Sequence, residues 1–225
     1  MSDDPIGAAP PGPRVAWHAA DPAADPVAAG ADLLELDVAF SAELEPVVHH
    51  NYLLEETAWV HETPLADTGC PTLRDVLSRL DGTGLPLLLD LKTAFVDPAA
   101  AYDRVVAVVT AAAMTDRVTL VNWDHDAGAA AARRHPGVRV GLASRWLGRD
   151  VADLVRRSGC AYLYIDWEYL TPGLLAAARA AGVEVGTLEG WHPLFYERAV
   201  AWGLPVVLSN DPAACRARLR QAAGH

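Results

Sequence analysis

Short apolar segments alternate with longer helical patterns along most of this chain. From residue 86 onward, apolar runs occupy 86–92, 117–122, 137–142, 161–166, 183–188 and 204–208. Helical patterns follow them at 98–113, 125–134, 149–158, 172–181 and 192–202, with a last helix starting from Asp211. Strands that are apolar on both faces and separated by helices are typical of a parallel sheet covered by helices. The alternation therefore predicts an α/β fold.

The first third of the chain adds three candidate strands, at 14–18, 32–38 and 46–50, and a helix opened by Thr72. Nine candidate strands suit a single (β/α)8 TIM barrel in which one run is peripheral. An open doubly wound sheet is the alternative, but no strand is followed by a glycine-rich phosphate-binding turn. We expect 14–225 to form one barrel domain, preceded by a mobile, proline-rich leader over 1–13, and we expect 51–70 to be a long loop.

Two of these strands carry pairs of ionisable residues within otherwise apolar sequence. Glu35 and Asp37 lie two positions apart in Leu-Leu-Glu-Leu-Asp-Val, and Asp90 and Lys92 close the next such run. Because residues i and i+2 of a strand face the same way, each pair projects from one face. Buried carboxylates repel one another and lose hydration unless a cation, a proton or a basic partner compensates them. The pattern therefore indicates a functional site.

The remaining ionisable residues at strand ends complete a chemically coherent set. His18 closes the first predicted strand and His50 closes the third, and in a β/α barrel the reacting groups lie at the carboxyl ends of the strands. Glu35, Asp37 and Asp90 are oxygen ligands of the kind that Mg²⁺ or Ca²⁺ prefers. Two histidines beside a metal can act as general acid and general base, and Lys92 can hold an anionic oxygen. This set describes phosphoryl chemistry better than any other class.

Composition limits the partners of the chain. The formal net charge of −11 argues against nucleic-acid binding and against docking on anionic membranes by charge. No apolar run approaches the length of a membrane span, so we expect no stable membrane insertion. The three cysteines are far apart and the amino terminus lacks a secretion signal, which favours a reduced, cytoplasmic setting. The sequence leaves the oligomeric state open.

The order of these motifs resembles the glycerophosphodiester phosphodiesterase family of the PLC-like phosphodiesterase superfamily. The resemblance spans roughly residues 14–215 and is most specific in Glu-Leu-Asp-Val followed by Pro-Val-Val-His-His. It implies a TIM barrel of the PLC-like type, a divalent metal, and cleavage of a small-molecule phosphodiester or lysolipid substrate. On the matching positions it implies metal ligation by Glu35, Asp37 and Asp90, acid–base catalysis by His18 and His50, and a phosphate-side role for Lys92.

The chain also departs from the family pattern. His18-Ala19-Ala20 stands where the family has His-Arg-Gly, so the phosphate-binding arginine is missing. Asp90 replaces a glutamate, and Gly186 stands where a tryptophan is common. Asp90-Leu-Lys-Thr is similar to the sphingomyelinase D/phospholipase D toxins, and Trp-His18-Ala-Ala is similar to menorin-like proteins. Arg145, after the strand at 137–142, is a candidate substitute for the missing arginine.

Two alternatives to a phosphodiesterase remain open from the sequence. One is a catalytically inactive barrel of the same fold that acts as a binding or regulatory module. The missing arginine favours this alternative. A metal-dependent carbon–carbon lyase or isomerase would use the acids and Lys92 but has less need of two histidines at the rim.

Overall fold

The computed structural model of the chain describes residues 12–20, 24–55, 57–145 and 150–224. The strands in chain order are β1 (Arg14–Trp17), β2 (Leu33–Phe40), β3 (Pro46–Val48), β4 (Leu53–Leu54), β5 (Ala58–Trp59), β6 (Leu87–Leu91), β7 (Val118–Asn122), β8 (Arg139–Ser144), β9 (Tyr162–Ile165), β10 (Glu184–Leu188) and β11 (Val206–Ser209). The α-helices are α1 (Leu65–Thr68), α2 (Leu73–Leu80), α3 (Pro98–Ala111), α4 (His125–Arg134), α5 (Val151–Ser158), α6 (Pro172–Ala180), α7 (Leu194–Ala201) and α8 (Pro212–Ala222).

Eight parallel strands close into a barrel. β1 pairs with β2 on one side and with β11 on the other, and β2, β6, β7, β8, β9, β10 and β11 pair in that order. The helices α2 to α8 follow or connect these strands, as in a (β/α)8 barrel. The predicted fold class is confirmed.

The third predicted strand is the peripheral one. β3 ends at Val48 and pairs antiparallel with the last residues of β2, Val38 to Phe40, of which Ala39 and Phe40 extend past the pairing with β6. Its short apolar pattern is the same as that of a barrel strand, so the sequence alone did not separate the two. The expectation that His50 closes a barrel strand was therefore wrong.

Side chains of the barrel strands alternate between two environments. On β2, Leu34 and Leu36 pack outward into the cluster shared with α2 and α3, whereas Glu35 and Asp37 face the barrel interior. Leu88 and Val121 also point inward, into a separate apolar cluster that fills the barrel. The two-residue period therefore places both acids on the inner face, as predicted.

The predicted helices are present, and their caps explain where several begin. Thr72 accepts a hydrogen bond from the Asp75 N–H at 3.1 Å and caps α2, and Asp211 caps α8 by accepting from the Ala214 N–H. The apolar stripe of α2 is buried against the barrel and consists of Leu73, Val76, Leu77 and Leu80.

Between 51 and 70 the chain is more ordered than expected. It contains the β4–β5 hairpin, a 3₁₀ turn over Val60–Glu62 and α1. These elements are too short to give a sequence period.

The predicted leader over 1–13 falls almost entirely outside the described residues, which begin at Gly12. The three cysteines are free. Within the described ranges, no helix combines the length and apolar character needed to cross a membrane.

Candidate active site

The six predicted site residues line one pocket at the carboxyl ends of the barrel strands. The pocket has a volume of about 170 Å³, and its wall includes Glu35, Asp37, Asp90, Lys92, His18 and His50. β2 and β6 are adjacent and parallel, and Asp37 pairs directly with Asp90 in their register. Carboxylate oxygens of Glu35, Asp37 and Asp90 lie within 4.8 Å of one another. The fold thus brings together acids that are 53 to 55 positions apart in the sequence.

Lys92 is held by two of these carboxylates. Its Nζ lies 2.6 Å from Asp37 Oδ1 and 2.6 Å from Asp90 Oδ2. Burial alone would lower the pKa of Lys92, but the charges of Asp90 and Asp37 outweigh it and raise that pKa, so the side chain stays an ammonium group. Burial, only partly offset by Lys92, raises the pKa of Asp90.

The carboxylates retain unused ligand atoms. Asp37 Oδ2 and Asp90 Oδ1 are buried and have no hydrogen-bond partner. Buried carboxylate oxygens without a partner are costly, and a hard cation that takes oxygen ligands would satisfy them. Three close carboxylates with free buried oxygens therefore fit a divalent metal such as Mg²⁺ or Ca²⁺.

Glu35 lies deepest in this group. Its burial, followed by the charge of Asp37, raises the pKa of Glu35 to about 8, against an ordinary value of 4.5. The Ala19 N–H donates to Glu35 Oε2 at 2.6 Å and opposes this shift. Ala19 lies in the turn that follows β1 and has a positive φ of 46°. Without a bound cation, the site therefore favours a protonated Glu35.

The two histidines come from different structural contexts. His18 follows β1, and its N–H donates to the carbonyl of Ser209 at 2.9 Å. His50 reaches the same pocket because β3 runs beside the end of β2, where the His49 N–H donates to the Asp37 carbonyl at 3.0 Å. The rings of His18 and His50 are 6.5 Å apart, centroid to centroid. His49 instead turns toward the loop, with Nε2 3.0 Å from the Leu53 carbonyl.

A neighbouring amide orients each histidine. His18 Nδ1 lies 2.8 Å from Asn210 Oδ1, and His50 Nδ1 lies 3.1 Å from Asn51 Oδ1. An amide oxygen only accepts hydrogen bonds, so in each ring Nδ1 carries the proton when the imidazole is neutral. The Nε2 lone pair is then available for proton transfer.

Sequence reasoning left some of the pocket wall unassigned. Tyr162 and Tyr164 line the pocket from inside β9, where nothing in their apolar surroundings marked them. Trp123, which directly follows β7, also lines the pocket, whereas Arg145 is exposed and is not part of the wall. The role of Asn210 depends on a contact between β1 and the end of β11, which no local pattern reveals.

The fold is shared with solved phosphodiesterases. A phosphodiesterase from Oleispira antarctica, whose structure is a complex with the product sn-glycerol-3-phosphate, is 20% identical with a TM-score of 0.80 over 95% of this chain and 98% of that chain. A glycerophosphodiester phosphodiesterase from Parabacteroides distasonis is 18% identical with a TM-score of 0.80 over 94% and 98%. One from Agrobacterium tumefaciens is 20% identical with a TM-score of 0.72 over 91% and 99%.

Comparison with protein-family models and with curated proteins gives no match. At these identities the likeness to solved structures is one of fold, and it confirms the resemblance to glycerophosphodiester phosphodiesterases at that level. The side resemblances to the sphingomyelinase D/phospholipase D toxins and to menorin-like proteins are not borne out by these matches.

Proposed function

We propose that this chain is a metal-dependent phosphodiesterase that cleaves glycerophosphodiesters or lysophospholipid-like phosphodiesters with histidine acid–base catalysis. The observation that carries the proposal is the pocket itself, in which three carboxylates with two unpartnered oxygens lie beside two oriented histidines and a lysine. The similar phosphodiesterase from Oleispira antarctica was solved with its product sn-glycerol-3-phosphate, which supports a glycerol phosphate as one half of the substrate.

Glu35, Asp37 and Asp90 would hold the divalent ion. An ion bound there would neutralise charge on the phosphate and polarise it for attack. Lys92, fixed between Asp37 and Asp90, keeps two of the ligands in place and presents a positive charge to the same pocket. The charges of the pocket are therefore arranged to accept an anionic diester.

The two histidines would move the protons. The free Nε2 of one histidine takes the proton of the nucleophile, which is water or a hydroxyl of the substrate. The other histidine, protonated at Nε2, gives its proton to the oxygen of the departing alcohol. Since His18 and His50 are both oriented through Nδ1, their geometry is compatible with either assignment. If a substrate hydroxyl attacks, the first product is a cyclic phosphate.

A binding module without turnover is the second candidate. Ala19 and Ala20 follow His18 where the family motif has Arg-Gly, so the chain lacks that phosphate contact. This candidate keeps the fold and the metal site but predicts no cleavage.

Cleavage by the purified full chain decides between the two. Glycerophosphocholine and lysophosphatidylcholine are incubated side by side with Mg²⁺, with Ca²⁺ and with EDTA. We expect metal-dependent release of the alcohol, reduced at least about 100-fold in His50→Ala, in line with the contribution of a general acid or base. His49→Ala is the matched control, because His49 turns out of the pocket, and it should keep wild-type activity. Cleavage that persists in EDTA and in His50→Ala would refute the proposal, and no cleavage by folded, metal-loaded protein would favour the binding module.

A further inference from the structure

One wall of the pocket is aromatic and stands next to the carboxylate cluster. Trp123 follows β7 and is 49% exposed, and Tyr164 lies on β9. Their ring centroids are 5.8 Å apart and their planes are tilted by 57°. Both rings line the same pocket as His18 and Asp90, and Trp123 lies close to the Asp90 carboxylate.

A small residue separates the strands that carry these rings. β8 lies between β7 and β9, and its Ala143 pairs with Tyr164 in the register and also lines the pocket. Ala143 carries only a methyl group, so it takes up little of the pocket between the two rings. We call Trp123, Ala143 and Tyr164 the aromatic corner.

Tyr164 is held in place by polar contacts at its hydroxyl. The hydroxyl interacts with the Asp166 carboxylate and with the backbone N–H of Leu188. Burial first, and then the charge of Asp166, raises the pKa of Tyr164, so the ring stays a neutral phenol. A ring fixed in this way is a preorganised surface that loses little entropy on binding.

The charges around the corner favour a cation. Asp166 places a carboxylate behind Tyr164, separate from Glu35, Asp37 and Asp90, whose charges the divalent ion and Lys92 would balance. Lys92 is already bound between two carboxylates, and Arg145, whose charge acts weakly on Tyr164, is exposed and outside the pocket wall. Aromatic faces beside acidic groups are a recurrent site for quaternary ammonium ions.

We propose that the aromatic corner is a subsite for an alkylammonium group, and that it selects phosphodiesters whose alcohol carries such a group. The inference rests on the proposed function, since the selected alcohol is bound while its phosphate lies at the carboxylate cluster. Trp123 is the specificity-determining residue, because its exposed face is in reach of the ligand. Tyr164 forms the fixed second wall.

Charge selectivity can be measured with two substrates of the same shape. One is glycerophosphocholine, and the other carries a 3,3-dimethylbutyl group, in which a neutral carbon replaces the choline nitrogen. We expect the wild-type kcat/KM to favour the charged substrate by about 2- to 30-fold, the range of a cation–π contact. Trp123→Leu should bring this ratio close to one whatever its effect on the overall rate, and Trp123→Phe should retain part of the preference.

Trp191→Leu is the matched control, because Trp191 is 82% exposed and does not line the pocket. It should leave the ratio unchanged. Equal cleavage of the two substrates by the wild type, or an equal loss for both in Trp123→Leu, would overturn the subsite.

Calorimetric titration with tetramethylammonium chloride separates this inference from the proposed reaction. Binding that is present in the wild type and in Trp191→Leu but lost in Trp123→Leu supports the subsite, even if no diester is cleaved. Binding that is absent, or that is unchanged in Trp123→Leu, overturns it, even if the chain proves to be a phosphodiesterase.

Discussion

His18 depends on a residue 192 positions further along the chain. Asn210 follows the last barrel strand, and its side-chain oxygen fixes the His18 ring through Nδ1 at 2.8 Å. Neighbouring strands β1 and β11 bring the two together, with Trp17 paired to Ser209 in the register. The same strand pairing that completes the barrel therefore also brings Asn210 to His18 in the candidate active site.

Asn210→Ala should reduce kcat while leaving the fold intact. Loss of one hydrogen bond is worth about 0.5–1.5 kcal/mol, so we expect a decrease of up to about tenfold as the ring samples other orientations. Because Asn210 is exposed, the free energy of unfolding should change by no more than about 0.5 kcal/mol. Steady-state kinetics and thermal unfolding measure the two effects.

Asn210→Asp is the companion variant. It keeps an acceptor for the Nδ1–H of His18, so it should retain most of kcat. It also adds a negative charge beside His18, so the limb of the pH–rate profile that reports this histidine should move to higher pH. Wild-type kcat and pH profile in Asn210→Ala would show that this hydrogen bond does not orient the histidine.

At the level of single residues, the sequence predicted which acids share a strand face, because strand periodicity is local. Glu35 and Asp37 share a face for that reason, and Asp90 joins them because β6 pairs with β2. The orientation of His18 and the anchoring of Tyr164 depend on contacts between distant segments. No pattern within a strand contains that information.

At the scale of elements, β9 and β10 explain one departure from the family pattern. Gly186 on β10 faces Tyr162 on β9, and a Cβ at position 186 would lie 1.8 Å from the Tyr162 hydroxyl oxygen. On the other side, a Cβ at Gly141 would lie 3.0 Å from Tyr162. Two glycines on flanking strands thus make room for one large ring inside the barrel. This ring occupies space that a tryptophan at position 186 would need.

Gly186→Ala should therefore destabilise the barrel. Overpacking a filled core costs about 1–3 kcal/mol, and we expect a loss of that size in the free energy of unfolding measured in urea. Gly173→Ala is the control, because Gly173 lies in α6 and the nearest atom to its added Cβ is 3.9 Å away. It should be neutral or slightly stabilising.

The double variant Gly186→Ala with Tyr162→Leu tests the cause. It should lose less stability than the sum of the two single variants, since the smaller side chain removes the clash. Full stability of Gly186→Ala would contradict this packing.

The element boundaries also show where sequence patterns fail. The strands β6 to β11 were predicted within two residues, because each is an apolar run bounded by helix signals. β3 has the same apolar run but pairs antiparallel outside the barrel, and β4 and β5 have only two residues each. Strand direction and such short pairings are set by tertiary contacts rather than by period.

At the scale of the whole molecule, the barrel gathers negative charge into one place. Three carboxylates face a single pocket in a chain whose formal net charge is −11. Because the pKa of Glu35 is raised above its ordinary value, the metal-free folded chain binds more protons than the unfolded chain between about pH 4.5 and pH 8. The contribution of Glu35 to stability therefore decreases as the pH rises through this range and is constant above it.

The most direct test of the account is a calorimetric titration of Mg²⁺ and of Ca²⁺ into chelator-treated protein at pH 7, in two buffers of different ionisation heat. We predict about one ion per chain, because the described residues form one cluster of three carboxylates. Because the raised pKa of Glu35 favours its protonated form at pH 7 and a ligating carboxylate must be deprotonated, we also predict release of up to about one proton per ion. The affinity should increase up to about pH 8, the proton release should disappear in Glu35→Gln, and binding should be lost in Asp37→Asn. Failure to bind either ion, or binding that is unchanged in Asp37→Asn, would contradict the metal site on which the proposed reaction depends.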